Sequence, residues 1–153
     1  MFRIVRTDSS HTDFRELVNS LDAYLAKIDG DEHAFYAQLN RTDSLKNVVV
    51  VYEDEIPVGC GAFREFEDNA VEVKRMYTVP EFRGKGVASL VLTELEKWAG
   101  ELSVKKCVLE TGHRQPEAIN LYKKKGYRII PNYGKYANVE NSVCFEKELN
   151  GEL

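Results

Sequence analysis

The sequence predicts a single mixed α+β domain in which helices flank a central sheet. Strand-like runs alternate with helical patterns through the middle of the chain, and no internal repeat or linker divides it. The length of 153 residues is enough for one self-sufficient core. The predicted order of elements is β-α-α-β-β-β-α-β-α-β-β, and we expect residues 1–153 to form one domain.

The first forty residues predict one short strand and two helices. Residues 2–5 form the strand, and apolar side chains then recur at helical spacing from Thr12 to Ile28, where Gly30 ends the pattern. The stretch "DEHAFYAQLN" (31–40) predicts a second, shorter helix.

Three strands follow the two N-terminal helices. The stretch "NVVVVYEDEIPVGCGAFREF" (47–66) places two β-rich runs around an acidic turn at Asp54 and Glu55, which indicates a hairpin. "AVEVKRMYTV" (70–79) predicts a strand whose faces alternate unless a bulge shifts the phase. One face then carries Val71, Val73, Tyr77 and Val79, and the other carries Glu72, Lys74, Met76 and Thr78.

A long helix begins near Val87, and its apolar stripe consists of Val91, Leu95, Trp98 and Leu102. "KKCVLET" (105–111) predicts a short strand. "QPEAINLYKKKG" (115–126) predicts a helix with Pro116 in its first turn and Gly126 at its C-terminal cap. The last two strands, 127–130 and 142–149, are separated by a loop at 131–141.

Composition narrows the class of protein. The formal net charge of −4 argues against a nucleic-acid binder or a membrane-surface protein. The N-terminal residues lack the apolar core of a signal peptide, and no apolar run is long enough to span a membrane. The three cysteines, Cys60, Cys107 and Cys144, are far apart and fit neither a disulfide framework nor a metal site. We therefore expect buried thiols in a cytoplasmic protein without a metal.

The stretch "VPEFRGKGVAS" (79–89) suggests an anion-binding site. A helix N-terminus offers unpaired N–H groups and partial positive charge, and Gly84 and Gly86 lack side chains that would hold a phosphate away. Arg83 and Lys85 add positive charge. The stretch is neither a P-loop nor a dinucleotide fingerprint, so by itself it also fits an exposed turn with two basic residues. In its context it suits a pyrophosphate.

That context resembles the GNAT superfamily of acetyl-CoA-dependent N-acetyltransferases. Its signature [Q/R]-x-x-G-x-[G/A] is matched by Arg83, Gly86 and Ala88 within "MYTVPEFRGKGVA" (76–88). A second family segment is similar to residues 109–130, where the matching positions are Asn120, Tyr122, Gly126 and Tyr127. The resemblance covers about residues 45–148. It implies a twisted, mostly antiparallel sheet of six to seven strands with a splayed central parallel pair, flanked by about four helices.

The resemblance also implies acetyl-CoA as the acetyl donor. Main-chain amides of the loop and helix start would bind the pyrophosphate, with Arg83 shaping the loop; these residues are Gly84, Lys85, Gly86, Val87, Ala88 and Ser89. Main-chain groups of Met76, Tyr77 and Thr78 would pair with the pantetheine arm, and Asn120 would bind that arm or the phosphate. Lys123 to Lys125 either meet the adenosine phosphate or form a solvated helix face.

Acetyl transfer to an amine requires a neutral nucleophile. A lysine-like amine with a pKa of about 10.4 is mostly protonated at pH 7, at a cost of about 4–5 kcal/mol. A positioned base offsets much of this cost. Glu72 is our candidate base; the alternatives are His113, a water chain, or a Glu72 that only pairs with Lys74 or Arg64. An N–H of Met76 or Tyr77 would bind the oxyanion.

Tyr122 has the family's position beside the departing sulfur, which implies a general acid, although its helical face also suits a core tyrosine. The acceptor pocket is expected between the two N-terminal helices and residues 131–142. Aromatic and acidic candidates there are Tyr24, Phe35, Tyr36, Tyr133, Tyr136, Asp29, Asp31, Glu32 and Glu140, with Glu110 as a further carboxylate.

We therefore expect an N-acetyltransferase that acts by direct attack in a ternary complex, with the primary amine of a small molecule or a protein as acceptor. The alternative is a non-catalytic acetyl-CoA or CoA sensor of the same fold. The resemblance allows a homodimer, and neither a nucleic-acid nor a membrane partner is expected.

Overall fold

The structure is a computed structural model that describes residues 1–30 and 44–149. Its helices are α1 (Thr12–Asp29), α2 (Val87–Glu101) and α3 (Pro116–Lys124). Its strands are β1 (Phe2–Thr7), β2 (Asn47–Glu53), β3 (Ile56–Glu67), β4 (Ala70–Thr78), β5 (Lys106–Gly112), β6 (Arg128–Ile130) and β7 (Ser142–Glu148). The helix predicted at 31–40 lies outside the described residues.

All seven strands belong to one sheet, in the order β1-β2-β3-β4-β5-β7-β6. Neighbouring strands are antiparallel except for the central pair β4 and β5, which is parallel. This confirms the predicted mixed α+β class and the GNAT-like sheet with one central parallel pair. Three α-helices are present in the part of the chain that the structure describes.

The helices cover opposite faces of this sheet. In β2, Val49 and Val51 pack into the apolar cluster that contains residues of α2 and α3, whereas Val48 and Val50 pack into the cluster that contains α1. Because successive side chains of a strand point to opposite faces, the two clusters must lie on opposite sides of the sheet. We refer to these sides as the α2 face and the α1 face.

A β-bulge interrupts β4 near its middle. Cys60 of β3 pairs with Tyr77, but Ala62 pairs with Lys74, so β4 has one extra residue at this point. Arg75 takes up the extra length with a φ of 59°, which few non-glycine residues adopt. The sequence predicted that a bulge in β4 would exchange the faces of the residues that follow it, and this is confirmed. Met76 joins Val71 and Val73 on the α2 face, and Tyr77 packs toward α1.

Beyond the bulge, β4 and β5 separate. Their parallel pairing runs from Ala70 and Lys106 to Val73 and Leu109 and then ends, although both strands continue. The second half of β4 therefore has β3 on one side and an opening on the other. This opening lies in the middle of the sheet, and we call it the gap.

The start of α2 is held close to β3 beside the gap. A Cβ atom added to Gly59 would lie 2.4 Å from Val87 Cγ1, and one added to Gly61 would lie 2.7 Å from Val91 Cγ1. Only glycine permits so close an approach of helix and strand. Val91 and Leu95 are buried as predicted, but the prediction for Leu102 was wrong, because Leu102 lies just past the helix and is largely exposed.

Two further predictions from the sequence concern the state of the cysteines and the presence of membrane-spanning helices. Cys60, Cys107 and Cys144 are all buried free thiols, as expected. Within residues 1–30 and 44–149, no helix has the length and hydrophobicity needed to cross a membrane.

Candidate active site

The glycine loop between β4 and α2 faces open space. Gly84 and Gly86 have φ values of 78° and 87°, and a Cβ atom added to either would meet no atom of residues 1–30 or 44–149 within 4 Å. Gly86 is the N-cap of α2, and no side chain in the described part of the chain caps the free N–H groups of the first helical turn. The positive end of α2 is therefore accessible to an anion of the size of a pyrophosphate.

Arg83 connects this loop to its surroundings. Its Nε donates a hydrogen bond of 2.9 Å to the main-chain oxygen of Thr78. Its guanidinium group also lies over two rings, 4.8 Å from the centroid of Tyr24 and 5.6 Å from that of Tyr77. Arg83 thus links the end of β4, the glycine loop and helix α1.

A cavity of about 610 Å³ extends from the glycine loop along the gap. Ten of the residues predicted to bind the coenzyme or to act in catalysis line it, together with Arg83. These are Glu72, Met76, Tyr77, Thr78, Gly84, Gly86, Val87, Ala88, Ser89 and Tyr122. The structure thus brings the two predicted catalytic residues and most of the predicted coenzyme contacts to one cavity.

Several other predicted residues lie outside the lining of this cavity. Lys85 is exposed, with Nζ 5.0 Å from the ring centroid of Phe82, and Asn120 is exposed on α3. His113 is exposed near the end of β5. Lys123 and Lys124 are also exposed, and Lys125 Nζ donates a 2.7 Å hydrogen bond to Thr93.

The candidates for the acceptor pocket are divided in the same way. Tyr24, Tyr136 and Glu110 line the cavity. Tyr133 contacts Glu72, whereas Glu140 is exposed and away from the lining. The side chain of Asp29 and residues Asp31, Glu32, Phe35 and Tyr36 lie outside what the structure describes.

Glu72 is almost completely buried, with 2% of its surface exposed. Arg64 Nε donates a 2.8 Å hydrogen bond to one carboxylate oxygen, and the Tyr133 hydroxyl donates one of 2.8 Å to the other. Lys74 Nζ is 3.9 Å from the carboxylate. Each carboxylate oxygen has more than one lone pair, so Glu72 can still accept a proton from the cavity while it keeps these partners.

Tyr122 lies across the gap from Glu72, on the α2 face. Its ring is buried against Tyr127 and Phe145, at centroid distances of 5.9 Å and 5.8 Å. Burial raises the pKa of its hydroxyl, and the charge of Glu110 raises it further. Tyr122 therefore stays protonated at neutral pH and can act as a proton donor. The core position and the place at the cavity, which the sequence left as alternatives, occur together.

Two cationic side chains at the bulge belong to the site, and the sequence did not predict this. Lys74 is buried and lines the cavity, and burial lowers its pKa although Glu72 opposes this effect. Arg75 is also buried at the cavity, and its Nη2 lies 2.5 Å from Asp22 Oδ1 on α1. The only indication of this in the sequence is that the alternation of apolar and polar residues along β4 breaks between Val73 and Tyr77.

The residues present fit acetyl-CoA. The open glycine loop and the uncapped helix start suit the pyrophosphate, and the unpaired edge of β4 offers main-chain groups to an extended pantetheine arm. The side-chain requirement for a proton donor is met by Tyr122. Among the described residues no cluster of potential metal ligands occurs.

The chain is similar in sequence to known acetyltransferases. The sequence profile described as "Acetyltransferase (GNAT) family" matches residues 12–127. An IAA acetyltransferase of Azospirillum brasilense is 31% identical over 137 residues, which are 88% of this chain and 89% of that protein.

Two solved structures show the same fold. A Klebsiella pneumoniae protein proposed to be an acyl-CoA N-acyltransferase has a TM-score of 0.80 and 29% identity, covering 97% of this chain and 98% of that one. A Thermoplasma acidophilum N-acetyltransferase in complex with coenzyme A has a TM-score of 0.69 and 15% identity, covering 97% and 99%. The profile match covers most of the chain, and the chain belongs to the GNAT family of acetyltransferases.

Proposed function

We propose that this enzyme transfers the acetyl group of acetyl-CoA to the primary amine of a small molecule or a protein. In this proposal the amine attacks directly, within a ternary complex of enzyme, donor and acceptor. The observation that supports it is a single cavity that joins an open helix N-terminus, a strand edge without a partner, Glu72 and Tyr122.

The coenzyme would bind along the gap. The N–H groups at the start of α2 and around Gly84 and Gly86 would receive its pyrophosphate. Val79 N donates to Val58 of β3, and main-chain groups alternate in direction along a strand. The main-chain groups of Thr78 and Met76 therefore face the gap, where they can pair with the pantetheine arm.

The same alternation distinguishes the two candidates for the oxyanion donor. The carbonyl of Tyr77 lies beside Gly59 of β3, so its main chain faces away from the gap. The N–H of Met76 faces the gap and is the better-placed donor for the negative charge that develops on the acetyl oxygen. Acetyl-CoA supplies the thioester whose cleavage drives the transfer.

The protein's side chains would move the protons. Glu72 would accept the proton of the attacking amine, either directly or through water, on the α1 face. Tyr122, which like any tyrosine is protonated at neutral pH, would give its proton to the departing thiolate on the α2 face. The two groups act on opposite sides of the gap, which suits a reaction in which nucleophile and leaving group occupy different sides.

Location and assembly are also proposed. The three buried free thiols support a cytoplasmic location, where cysteines stay reduced. A homodimer and a single domain over residues 1–153 stay predictions, which light scattering and limited proteolysis of the full chain can test.

The experiment that tests the activity is release of CoA thiol from acetyl-CoA in the presence of a panel of primary amines. We expect release that depends on the amine, and a loss of about 10²-fold in kcat for Tyr122→Phe with little change in acetyl-CoA affinity. Tyr127→Phe is the matched control, because it removes a buried hydroxyl that contacts Glu96 outside the cavity lining.

Two results would contradict the proposal. Binding of acetyl-CoA without thiol release for any amine would favour the non-catalytic module. A Tyr122→Phe variant with the kcat of the unmodified enzyme would remove Tyr122 from the mechanism.

A further inference from the structure

One part of the cavity lies on the α1 face of the sheet, opposite α2 and α3, and Arg83 of the glycine loop borders it through its contact with Tyr24. The pyrophosphate loop leads into α2, and Tyr122 lies on α3, and both helices belong to the α2 face. Glu72 alternates with Val71 and Val73 of the α2-face cluster, so its side chain lies on the α1 face. Leu109 also belongs to the α2-face cluster, so the side chain of the next residue, Glu110, lies on the α1 face as well. An acceptor that approaches from the α1 face therefore reaches the gap opposite the coenzyme.

We name this part of the cavity the acceptor chamber and define it by six cavity-lining residues of the α1 face. Its polar end consists of Glu72, Lys74 and Glu110, and the apolar part of its wall consists of Leu25, Ile28 and Tyr136. Leu21, Tyr24 and Arg75, whose guanidinium pairs with Asp22, line the cavity beside them. Tyr136 belongs to this group because its ring lies 5.8 Å from that of Tyr133, whose hydroxyl donates to Glu72.

The wall of the acceptor chamber is apolar where α1 forms it. Phe14, Leu17 and Val18 of the same helix pack into the α1-face core, but Leu25 and Ile28 are only partly buried and line the cavity instead. The apolar stripe of α1 thus continues past the core and along the chamber. Apolar side chains on the wall of a ligand pocket favour a ligand whose matching part is apolar.

We infer that the acceptor is a primary monoamine with an apolar aliphatic or aromatic body. Its nitrogen would lie near the carboxylates of Glu72 and Glu110, and its body against Leu25, Ile28 and Tyr136. Among the described residues of this wall no carboxylate accompanies Leu25, Ile28 and Tyr136, so a second positive charge placed against them would be unfavourable. This inference rests on the proposed acetyl transfer only for the statement that the ligand is an acceptor.

The test compares hexylamine with 1,6-diaminohexane, which have the same length and the same reacting group. Calorimetry on the full chain saturated with CoA should show hexylamine binding at least about tenfold more tightly. Thiol release from acetyl-CoA should show the same preference in kcat/KM. Equal or tighter binding of the diamine, or no binding of either amine, would overturn the inference. A lack of thiol release with an intact binding preference would instead contradict the proposed activity.

A charge placed on the wall should reverse the preference. Leu25→Glu should weaken hexylamine binding about tenfold and bring the diamine to equal or better affinity, with acetyl-CoA affinity unchanged. Ala23→Glu is the matched control, because Ala23 is an exposed residue of the same helix that does not line the cavity. A loss of acetyl-CoA affinity in Leu25→Glu would assign this wall to the pantetheine arm and overturn the inference. Leu25→Ala, which keeps an apolar wall, should weaken hexylamine binding without reversing the preference, and it decides the matter where Leu25→Glu does not fold.

Discussion

Glu72 combines its proposed role as the base with two structural contacts, and a substitution can separate the two. Its carboxylate anchors Tyr133 and pairs with Arg64, but it also lines the cavity. Glu72→Gln keeps groups that can bond both partners and removes only the basic carboxylate. We expect kcat/KM at pH 7 to fall by about 10²–10⁴. The deficit should shrink as the pH rises, because a growing fraction of the acceptor amine is then already neutral.

The control for this experiment is Tyr133→Phe, which removes the anchored hydroxyl and leaves the carboxylate. If Glu72 served only to hold the loop that carries Tyr133, the two variants would lose similar activity at every pH. A deficit of Glu72→Gln that does not change with pH would count against its role as the base. Pre-steady-state or steady-state pH profiles of kcat/KM for both variants provide the measurement.

At the level of residues, the sequence could predict what depends on local pattern. Strand alternation and the family motifs were sufficient to place Glu72, Tyr122 and the glycine loop at one cavity. The burial of Lys74 and Arg75 could not be predicted in this way, because it depends on a bulge in the pairing with β3. The contact between Arg75 and Asp22 depends in turn on where α1 packs, which is a tertiary property.

The N-terminus of α2 is the element whose charge can be tested most directly. No acidic residue occurs in its first turn. Ala88→Asp should stabilise the helix by about 0.3–1 kcal/mol, because a negative charge near a helix N-terminus is favourable. The same charge should repel the pyrophosphate and weaken acetyl-CoA binding. Thermal unfolding and calorimetry of the same variant should therefore change in opposite directions.

Ala88→Asn provides the neutral comparison for this element. It has nearly the same size and shape as Ala88→Asp, so a steric effect would weaken acetyl-CoA binding equally in both. We expect Ala88→Asn to bind acetyl-CoA more tightly than Ala88→Asp, with a difference that decreases as salt is added. Equal affinities of the two variants at low salt would contradict the assignment of the pyrophosphate to this helix end.

The elements themselves show which signals in a sequence are reliable. The periodicities of α1, α2 and α3 are long and regular, and the hairpin of β2 and β3 has a clear turn at Asp54 and Glu55, so these were predicted correctly. Leu102 continues the spacing of α2 but lies beyond its end, because spacing alone does not show where a helix stops. A stop is determined by the caps and by the packing of the last turn.

For the whole molecule, coenzyme binding should appear as a gain in stability. A ligand that binds only the folded state at 100 times its Kd adds about 2.7 kcal/mol to the free energy of unfolding. For a chain of this size, that corresponds to a rise of about 5–10 °C in Tm. We expect this rise with acetyl-CoA and with CoA, measured by calorimetric or fluorescence-detected melting.

The same measurement includes its own control. Ala88→Asp should show a smaller rise in Tm at the same coenzyme concentration, whereas Ala23→Glu should show the full rise. A Tm that does not change for the unmodified protein at saturating acetyl-CoA would contradict coenzyme binding by the folded state.

The topology of the whole sheet could be predicted from the sequence only in part. The class was predicted from the order of strands and helices, and the central parallel pair was implied by the resemblance to the GNAT superfamily. The position of β7 between β5 and β6 is a property of long-range pairing that no local pattern contains. The separation of β4 and β5 after Val73 likewise depends on both strands and on the bulge.

The two faces of the sheet have a practical consequence for redesign. The proposed donor contacts come mainly from α2 and α3 on one side of the sheet, and the proposed acceptor contacts from α1 and the loop at 131–141 on the other. Under the proposed function, substitutions at Leu25 and Ile28 should change the amine preference and leave donor binding unchanged, whereas Tyr24 in the same turns contacts Arg83 of the glycine loop and should be kept. The choice of acceptor and the binding of the donor would then be two properties that can be engineered separately.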